Sequence, residues 1–250
     1  AKEGWKDLVL VEKGELTSGS TWHAAGQCPQ MMGSYNLAKI HKESNNLYKK
    51  LEKETEQPTG FHECGSLRIA YKKEDLDWFK YVKGILDNIG APSEIISTNE
   101  IRKIHPFIKL DGILGAFHTP DDGHTDSTST TNAMAKGARN YGAKIYRKNR
   151  ATDIKHLPSG EWKLITEKGD IICEHVVNAA GSYGPEVGAM VGLKNIPSIN
   201  MIHHYLVTDE HPSIAKLEKE LPVVRDPQAS AYLRQEGKGL LIGPYEKNTK

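Results

Sequence analysis

The feature that most constrains the fold is the apolar run in "DLVLVEKG", residues 7–14, which ends in Glu12 and is followed by Gly14. A short continuous apolar run that stops at a turn residue is typical of a strand covered on both faces, as in a parallel sheet. In dinucleotide-binding folds, such a strand ends in an acidic residue that accepts hydrogen bonds from the ribose hydroxyls. Glu12 is our candidate for that role, although an acidic residue that merely begins a loop fits the same pattern.

The glycine-rich phosphate loop that normally accompanies such a residue does not precede it. In that fold a GxGxxG loop lies about 20 residues upstream, and only eleven residues precede Glu12. The run "GKGLLIG" at 237–243 has the wrong spacing and lies in a hairpin pattern. We therefore expect either that Glu12 has another role or that the chain begins inside a domain.

Helical and strand patterns alternate along the rest of the chain. Helices are predicted over 36–57, with the apolar face Leu37, Ile40, Leu47 and Leu51, over 74–90, after the Ser97 and Glu100 capping pair, and after the turn "PDDG". Strands are predicted at 65–71 and repeatedly from 143 onward, including "DIICEHVVNAAG" and an antiparallel set at the end. The predicted class is α/β (α+β), with a Rossmann-like parallel sheet interleaved with a mostly antiparallel sheet.

Charge and cysteine usage exclude several kinds of protein. With 33 Lys and Arg against 32 Asp and Glu, the formal net charge is +1, which gives no field to attract nucleic acid or an anionic membrane. No apolar run approaches the roughly 20 residues that a membrane span needs. Cys28, Cys64 and Cys173 are far apart and outside any CxxC pattern, which argues against a disulfide framework and a zinc site and favours a reducing compartment.

The loop "TSGSTWHAAG" at 17–26 carries small residues around one histidine. Backbone amides and hydroxyls here can line a flavin, and the small residues permit close approach of the backbone. A neutral His23 imidazole is a competent nucleophile toward the flavin 8α-methyl carbon once the flavin has tautomerised to its quinone-methide form. A histidine that is buried and hydrogen-bonded to backbone remains the alternative.

Five segments carry a family resemblance: "VLVEKGELTSGSTWHAAG", "NLYKKLEKETEQPTGFHECGSLRIA", "DDGHTDSTSTTNAMAKGARNYGA", "VVNAAGSYGPEVGAMVGL" and "ELPVVRD…SAYLRQEGKGLLIGPYEKN". Together they resemble the flavin amine-oxidase portion of the dimethylglycine and sarcosine dehydrogenase family, over essentially the whole chain. The resemblance implies a D-amino-acid-oxidase-like fold with FAD bound covalently through His23. The cofactor-binding residues that it implies are His23, Glu12, Lys13, Gly19, Ser20, Thr21, Ala24, Ala25, Gly26, Ala151, Gly181 and Tyr183.

The resemblance also implies two catalytic residues. "NMIHHYLVT" aligns His203 with the active-site histidine of the family, with His204 where glutamine is common, and "SAYLRQE" aligns Tyr232 with the active-site tyrosine. Without the family, ordinary burial explains His203 and Tyr232, and metal ligation is an awkward alternative for the histidine pair. The chain reads "AAGSYG" where relatives often have AAG-Phe-Trp, so Tyr183 marks a possible difference in the pocket. No metal ligand is predicted.

The implied activity is FAD-dependent oxidative demethylation of an N-methylated amino acid, with electron-transfer flavoprotein or oxygen as acceptor, in bacterial cytoplasm or the mitochondrial matrix. Segments 1–35 and 143–192 would mainly bind FAD, and 60–125 and 196–246 mainly the substrate. The family pattern also places a first strand before residue 1 and a tetrahydrofolate-binding region beyond residue 250. Two alternatives stay open: a non-catalytic regulatory protein on the same fold, resembling the regulatory subunit of pyruvate dehydrogenase phosphatase, and a plain nicotinamide dehydrogenase.

Overall fold

The computed structural model describes residues 1–246. Its strands are β1 (Val9–Val11), β2 (Gln27–Cys28), β3 (Ser66–Ala70), β4 (Glu94–Ile96), β5 (Gly115–Thr119), β6 (Gly123–His124), β7 (Lys144–Tyr146), β8 (Ala151–His156), β9 (Trp162–Thr166), β10 (Gly169–Cys173), β11 (Leu206–Val207), β12 (Val223–Asp226), β13 (Ala231–Glu236) and β14 (Gly239–Pro244). Its helices are α1 (Tyr35–Thr55), α2 (Lys73–Asn88), α3 (Thr98–Ile104), α4 (Ser127–Asn140), α5 (Gly184–Ala189) and α6 (Pro212–Ala215).

The chain divides into two compact units. Unit 1 comprises Ala1–Ala24 and Thr131–Met201, and unit 2 comprises 25–130 together with the described residues from 202 onward. Within residues 1–246, no helix combines the length and the apolar character that crossing a membrane requires.

Unit 2 is built on a seven-stranded sheet in the order β11-β14-β13-β12-β3-β5-β4. All neighbours are antiparallel except β12 and β3, which run parallel. The predicted antiparallel sheet is therefore confirmed, with one parallel pair that joins segments more than 150 residues apart.

Both faces of this sheet are covered by helices. Because alternate strand residues point to opposite faces, Leu67 and Ile69 of β3 join a cluster with Ile101 of α3, whereas Ala70 joins a second cluster with Phe79 of α2. The predicted capping pair is present at the start of α3, where the Ser97 hydroxyl accepts from the Glu100 amide and the Glu100 carboxylate accepts from the Ser97 amide.

Helix α1 is present, but its predicted apolar face is partly wrong. Leu37 and Ile40 are 49% and 61% exposed. The side chains that α1 buries are Ala38, Asn45, Leu51 and Thr55. The polar members are tolerated there because the Asn45 amide donates to the Cys28 carbonyl (3.0 Å) and the Thr55 hydroxyl donates to the Leu51 carbonyl (2.7 Å).

Unit 1 contains two small sheets. Strand β1 runs parallel to β7, and β8, β9 and β10 form an antiparallel sheet in the order β10-β9-β8. The parallel pairing of β1 is as predicted, but burial on both faces is wrong, since Val9 and Leu10 are 40% and 47% exposed. Among the described strands β1 has β7 as its one neighbour, so most of its apolar surface has nothing to pack against.

The predicted strand through "DIICEHVVNAAG" is also shorter than expected. Strand β10 ends at Cys173, and 174–180 has no regular secondary structure, with Val177 84% exposed. An apolar run forms a strand only where a neighbour supplies the hydrogen bonds, and no described strand pairs with this segment. The tight turn and short helix that follow are present as Gly181–Tyr183 and α5.

Candidate functional site

Unit 1 presents the predicted cofactor loop directly after β1. The Glu12 carboxylate accepts from the Gly14 amide at 2.8 Å, which holds it at the carboxyl end of a parallel strand. Glu12 also lies in the ladder to the other strand, because its amide donates to the Tyr146 carbonyl. Its position is thus the one that a ribose-binding carboxylate occupies in dinucleotide-binding folds.

The loop that follows is exposed and turns at Ser20–His23, a single 3-10 turn. The His23 ring lies against the Trp22 ring, with centroids 3.6 Å apart, and both side chains face solvent. A side chain at Gly19 would meet no atom within 4 Å. His23 is therefore not the buried, hydrogen-bonded histidine of the alternative interpretation.

A second segment of unit 1 lies beside this loop. The Ser20 and Ser182 hydroxyls are 3.4 Å apart, and the Lys13 ammonium lies 3.3 Å from the centre of the Tyr183 ring. Gly181 has a φ of +56°, a left-handed conformation that glycine adopts at no steric cost. Ser20 and Lys13 are thus brought beside the turn at Gly181–Tyr183, whereas Ala151 lies at the start of β8.

One residue of the loop has a strained backbone. Thr17 has a φ of +70°, which is a genuine outlier for a β-branched side chain. Such strain is held only where the surrounding structure imposes it, and it clusters at ligand-binding sites. Thr17 precedes the exposed 3-10 turn, so the strain lies where the loop is shaped.

The last two predicted cofactor residues of the loop, Ala25 and Gly26, belong to unit 2 and contact other residues of that unit. The Ala25 carbonyl accepts from Arg234 Nε at 2.7 Å. A side chain at Gly26 would lie 2.0 Å from the Thr125 carbonyl oxygen, so glycine is required for this close approach. Packing within unit 2 therefore explains the glycine at position 26 without a cofactor, whereas the contact of Ala25 involves only its backbone.

Unit 2 brings together a row of residues that crosses its sheet. Arg68 of β3 pairs with Arg225 of β12, Arg225 pairs with Tyr232 of β13, and Tyr232 pairs with Gly243 of β14. A side chain at Gly243 would lie 2.1 Å from Tyr232 Cζ. The tyrosine ring therefore lies flat over β14 because Gly243 leaves room for it.

The two arginines of this row line a cavity of about 260 Å³. Its other lining residues include apolar and polar groups: Gln27, Pro29, Met31, Met32, Gly33, Ser66, Leu67, Trp78, Gly123 and Val223. Arg68 lies over the Trp78 ring at 5.0 Å, and Arg225 Nε donates to Gln27 Oε1 at 3.3 Å. Burial, together with the neighbouring Arg225 guanidinium, lowers the pKa of Arg68.

Neither guanidinium has a carboxylate within ion-pair distance in the part of the chain that the structure describes. Two neighbouring positive charges at a half-enclosed cavity with no fixed counterion favour an anionic ligand. The volume falls below the 300–1,000 Å³ typical of pockets for drug-sized ligands, so the ligand that fits is small.

An aromatic group adjoins the row. His203 Nε2 and the Tyr232 hydroxyl are 3.1 Å apart, and the Tyr245 ring stacks on His203 with centroids 4.9 Å apart. Burial, then the neighbouring Tyr245, raises the pKa of Tyr232, so Tyr232 stays a neutral hydroxyl at physiological pH. His203 and Tyr232 are thus brought together, whereas the His204 ring lies 3.3 Å from the Glu246 carboxylate.

A buried carboxyl group supports the floor of the cavity. Asp122 is fully buried and accepts from the Gln30 amide (2.9 Å), the Gln30 side chain (3.1 Å) and the Ser66 hydroxyl (2.6 Å). Burial raises the pKa of Asp122 to about 7, against the lowering effect of these hydrogen bonds. Sequence reasoning missed Asp122, Arg68 and Arg225. For the arginines a signal exists, because Arg68 interrupts the apolar run of "SLRIA" and Arg225 directly follows the apolar pair of "PVVRD".

The similarity of the chain to known proteins identifies its family. The family model described as "FAD dependent oxidoreductase" matches residues 1–250. The chain belongs to the FAD-dependent oxidoreductase family. Its predicted D-amino-acid-oxidase-like fold is confirmed by similarity to the crystal structure of L-proline dehydrogenase from P. horikoshii, with a TM-score of 0.85 and 25% identity over 98% of this chain and 71% of that one.

Two relatives of this flavoprotein family support the predicted resemblance. The chain is 44% identical over 250 residues to mitochondrial dimethylglycine dehydrogenase of Rattus norvegicus, covering 100% of this chain and 29% of the relative. It is 33% identical over 255 residues to the mitochondrial pyruvate dehydrogenase phosphatase regulatory subunit of Mus musculus, covering 100% of this chain and 28% of that protein. The chain therefore spans less than a third of the length of either relative.

The residues of unit 1 fit the FAD that characterises this family. Adenosine ribose needs a hydrogen-bond acceptor, which Glu12 supplies, and a flat ring system needs an open surface of small residues, which Gly19 and Gly181 supply because no atom lies within 4 Å of an added side chain there. The hydroxyl of Ser20 and the exposed ring of His23 complete the set.

Proposed function

We propose that the chain is part of an FAD-dependent enzyme that oxidatively demethylates a small N-methylated amino acid of the dimethylglycine or sarcosine type. The observation that carries this proposal is the pair of guanidinium groups, Arg68 and Arg225, which line a small cavity and have no carboxylate partner among residues 1–246. An amino-acid carboxylate matches them in charge and geometry, since arginine binds carboxylates through two parallel hydrogen bonds.

The apolar part of the same cavity suits the methyl groups of such a substrate. Met31, Met32 and Trp78 line it, and a cationic or neutral N-methyl amine packs well against an aromatic face. A substrate with an acidic end and a methylated amine end therefore finds a complement for each end. A substrate without a carboxylate leaves two positive charges unpaired.

His203 and Tyr232 have a proton-handling role in this proposal. A protonated amine has no lone pair to expel hydride. The substrate must therefore either bind with a neutral amine or lose the amine proton after it binds. The His203 ring is exposed, and its Nε2 lies 3.1 Å from the Tyr232 hydroxyl. With Nε2–H donating to the tyrosine oxygen, Tyr232 orients the ring and Nδ1 can accept that proton. Bound FAD supplies the acceptor for the hydride that leaves the N-methyl carbon.

Unit 1 supplies the cofactor residues in the proposal. Glu12 binds the adenosine ribose of FAD, Ser20 and its neighbours bind the pyrophosphate of FAD, and His23 carries the flavin covalently. The exposure of His23 supports this role, because a nucleophile must be accessible to the carbon that it attacks. The iminium product is hydrolysed to formaldehyde or captured by tetrahydrofolate, and electron-transfer flavoprotein or oxygen takes the electrons.

The location of this reaction also remains a proposal. The names of both relatives place those proteins in mitochondria, which favours the mitochondrial matrix over a bacterial cytoplasm for this protein.

The test is anaerobic reduction of the flavin in the purified holoprotein. Dimethylglycine and sarcosine should bleach the flavin absorbance, whereas dimethylamine, which has the methyl groups but no carboxylate, should not. Equal reduction by dimethylamine would remove the role of the two arginines.

The regulatory alternative keeps one supporting observation, which is the 33% identity to the phosphatase regulatory subunit over the whole chain. The exposed histidine at position 23 speaks against it, because the resemblance of this segment is to the catalytic branch. Flavin that no N-methyl amino acid reduces would favour the regulatory function.

A further inference from the structure

A second cluster of chemistry-bearing side chains lies in unit 2, outside the site described above. It consists of His62, His124 and Glu220, whose nearest ligand atoms all lie within 4.8 Å of one another. None of these residues has a role in the proposed demethylation. The cluster borders an open cavity of about 430 Å³ lined by 61–64 and 219–220.

The backbone fixes the two histidines side by side. The His62 amide donates to the His124 carbonyl at 2.8 Å, and the His124 amide donates to the His62 carbonyl at 3.1 Å. A side chain at Gly123 would lie 1.8 Å from the His62 carbonyl oxygen, so the two segments can meet only because residue 123 is glycine. The imidazole rings consequently stack, with centroids 4.8 Å apart and planes at 17°.

Glu220 brings a carboxylate from a third segment to both rings. Its Oε2 lies 2.7 Å from His62 Nδ1, and its Oε1 lies 2.6 Å from His124 Nε2. The segment is anchored next to it, because the Leu221 amide donates to Gln235 Oε1 at 3.1 Å. No lysine or arginine nitrogen within residues 1–246 lies within ion-pair distance of this carboxylate, so the imidazoles are its partners.

Two imidazole nitrogens and one carboxylate are a preferred donor set for zinc and related divalent ions. Metal bonds of about 2.0–2.2 Å at a tetrahedral angle place ligand atoms about 3.4 Å apart. Here each ring nitrogen lies 2.6–2.7 Å from a Glu220 oxygen, and all the ligand atoms lie within 4.8 Å of one another, so binding requires the carboxylate and a ring to shift on the order of 1 Å. The His62 side chain is 53% exposed and the His124 side chain 8%. His62 can therefore make that movement while His124 stays in place.

We propose that His62, His124 and Glu220 form a binding site for a divalent transition-metal ion of the zinc class, with its fourth position open to solvent. The three ligands come from three segments, 61–64, β6 and 219–220, so the bound ion ties these segments together. The site is independent of the proposed oxidation, and its test does not depend on enzymatic activity.

The experiment is calorimetric titration of the tag-free, metal-depleted protein with Zn²⁺, supported by Co²⁺ substitution and visible absorption. We expect one Zn²⁺ per cluster, a rise in the melting temperature with Zn²⁺, and a Co²⁺ spectrum typical of tetrahedral nitrogen and oxygen ligands. His62→Ala and Glu220→Gln should each weaken binding by more than the ~10-fold that loss of an outer partner costs. His156→Ala and Glu218→Gln, which change exposed residues of the same types, should leave binding unchanged.

His62→Ala is the decisive variant because His62 is exposed, whereas a change at buried His124 risks the fold. Circular dichroism of each variant without metal checks that the fold is retained. Absence of stoichiometric Zn²⁺ binding by the parent protein would overturn the proposal. Binding that His62→Ala and Glu220→Gln leave as tight as in the controls would overturn it too, and would leave the cluster as a hydrogen-bonded pair of histidines on one carboxylate.

Discussion

In unit 1 the candidate cofactor residues lie on an exposed loop after a two-stranded parallel ladder, whereas in unit 2 the candidate substrate residues lie in a row across a seven-stranded sheet. The buried apolar side chains of unit 1 within the described residues are few, namely Ala133, Ala135, Ile154 and Leu164. Unit 2 has two clusters with large members such as Phe79 and Phe117.

Because of this difference, substitutions in the two units measure different things: ligand chemistry alone in the loop of unit 1, and ligand chemistry together with packing in the sheet of unit 2. A side chain that contacts little besides solvent can be removed without loss of packing, so its substitution reports on ligand chemistry alone. A side chain in the sheet row has neighbours on adjacent strands, and its substitution changes packing as well as chemistry. The predictions below use this contrast, from the largest expected effect to the smallest.

The largest expected effect concerns the exposed loop. In the complete flavoprotein, His23→Ala should abolish covalent flavin, because the variant lacks the imidazole that forms the bond. Only flavin that is covalently bound stays with the protein after denaturation. The measurement is yellow colour and absorbance in the acid precipitate, and Trp22→Phe is the control at the neighbouring position. The melting temperature of the His23→Ala apoprotein should change less, relative to the parent protein, than the melting temperature of any variant in the sheet row of unit 2. Fully acid-extractable flavin in the parent protein would remove the covalent role of His23.

The next effect concerns the guanidinium pair of unit 2. Arg225→Ala should lower kcat/KM for N-methyl amino acids by roughly 10²–10⁴-fold, since a charge-assisted contact to the substrate carboxylate is lost. Arg102→Ala, which removes an exposed arginine on α3, is the control. Arg225→Lys should recover part of the loss because it keeps the charge without the paired geometry. An Arg225→Ala enzyme with unchanged kcat/KM would place the carboxylate elsewhere.

The aromatic group should show a mixed effect. Tyr232→Phe should lower kcat/KM by roughly 10- to 100-fold, because the His203 ring loses its hydroxyl partner. It should also cost about 1 kcal/mol of unfolding free energy, as is typical for one hydrogen bond. His203→Ala should affect kcat/KM to a similar or larger extent and should also cost about 1 kcal/mol, because it removes the same hydrogen bond. Steady-state kinetics and urea unfolding separate the two contributions.

Gly243→Ala tests the packing part of the same argument. The added carbon would meet the Tyr232 ring, so we expect displacement of that ring, a loss of about 1–3 kcal/mol of stability as in other overpacked sites, and a kcat/KM close to that of Tyr232→Phe. Gly84→Ala on α2, where an added carbon has no atom within 4 Å and φ is not positive, serves as the comparison. Normal kinetics in Gly243→Ala would show that the ring position does not matter.

The same contrast explains what the sequence could predict. The capping pair of Ser97 and Glu100, the helices and the final hairpin depend on local spacing, and each is confirmed. The row of Arg68 and Arg225 depends on the parallel pairing of β3 with β12. The register of two strands so distant in the chain is not encoded in any local pattern, so the only local signal was an arginine within or directly after an apolar run.

The wrong predictions have a related cause. The apolar run at Val9 and Leu10 predicted a strand covered on both faces, and the run around Val177 predicted a strand. Val9 and Leu10 are 40% and 47% exposed, and Val177 lies outside any strand and is 84% exposed. An apolar composition allows a segment to be buried. Whether the segment is buried depends on which other elements pack against it. The residues around His62 show the reverse case, because His62, His124 and Glu220 are unremarkable singly and their convergence requires the fold.

The smallest expected effect concerns the pH dependence of stability. His105 is 2% exposed, and neither ring nitrogen has a hydrogen-bond partner within the described residues 1–246. Burial lowers the pKa of His105 to about 4, whereas an unfolded histidine titrates near ~6.5. Between these values the unfolded chain binds a proton that the folded chain does not, so the free energy of unfolding falls as pH falls from 6.5 toward 4. The contribution is fully present above 6.5, and its loss amounts to at most about 3 kcal/mol.

This effect should originate in unit 2, because His23, His156 and His175 of unit 1 are all exposed. Urea unfolding at pH 7.5 and pH 5.0 measures it. His105→Leu replaces a buried, unpartnered ring with an apolar side chain, so it should lose less stability between the two pH values than the parent protein does, with little change at pH 7.5. His156→Leu should behave as the parent. If His105→Leu and the parent protein lose the same free energy on acidification, another group is responsible, and the acid sensitivity of unit 2 does not come from its buried imidazole.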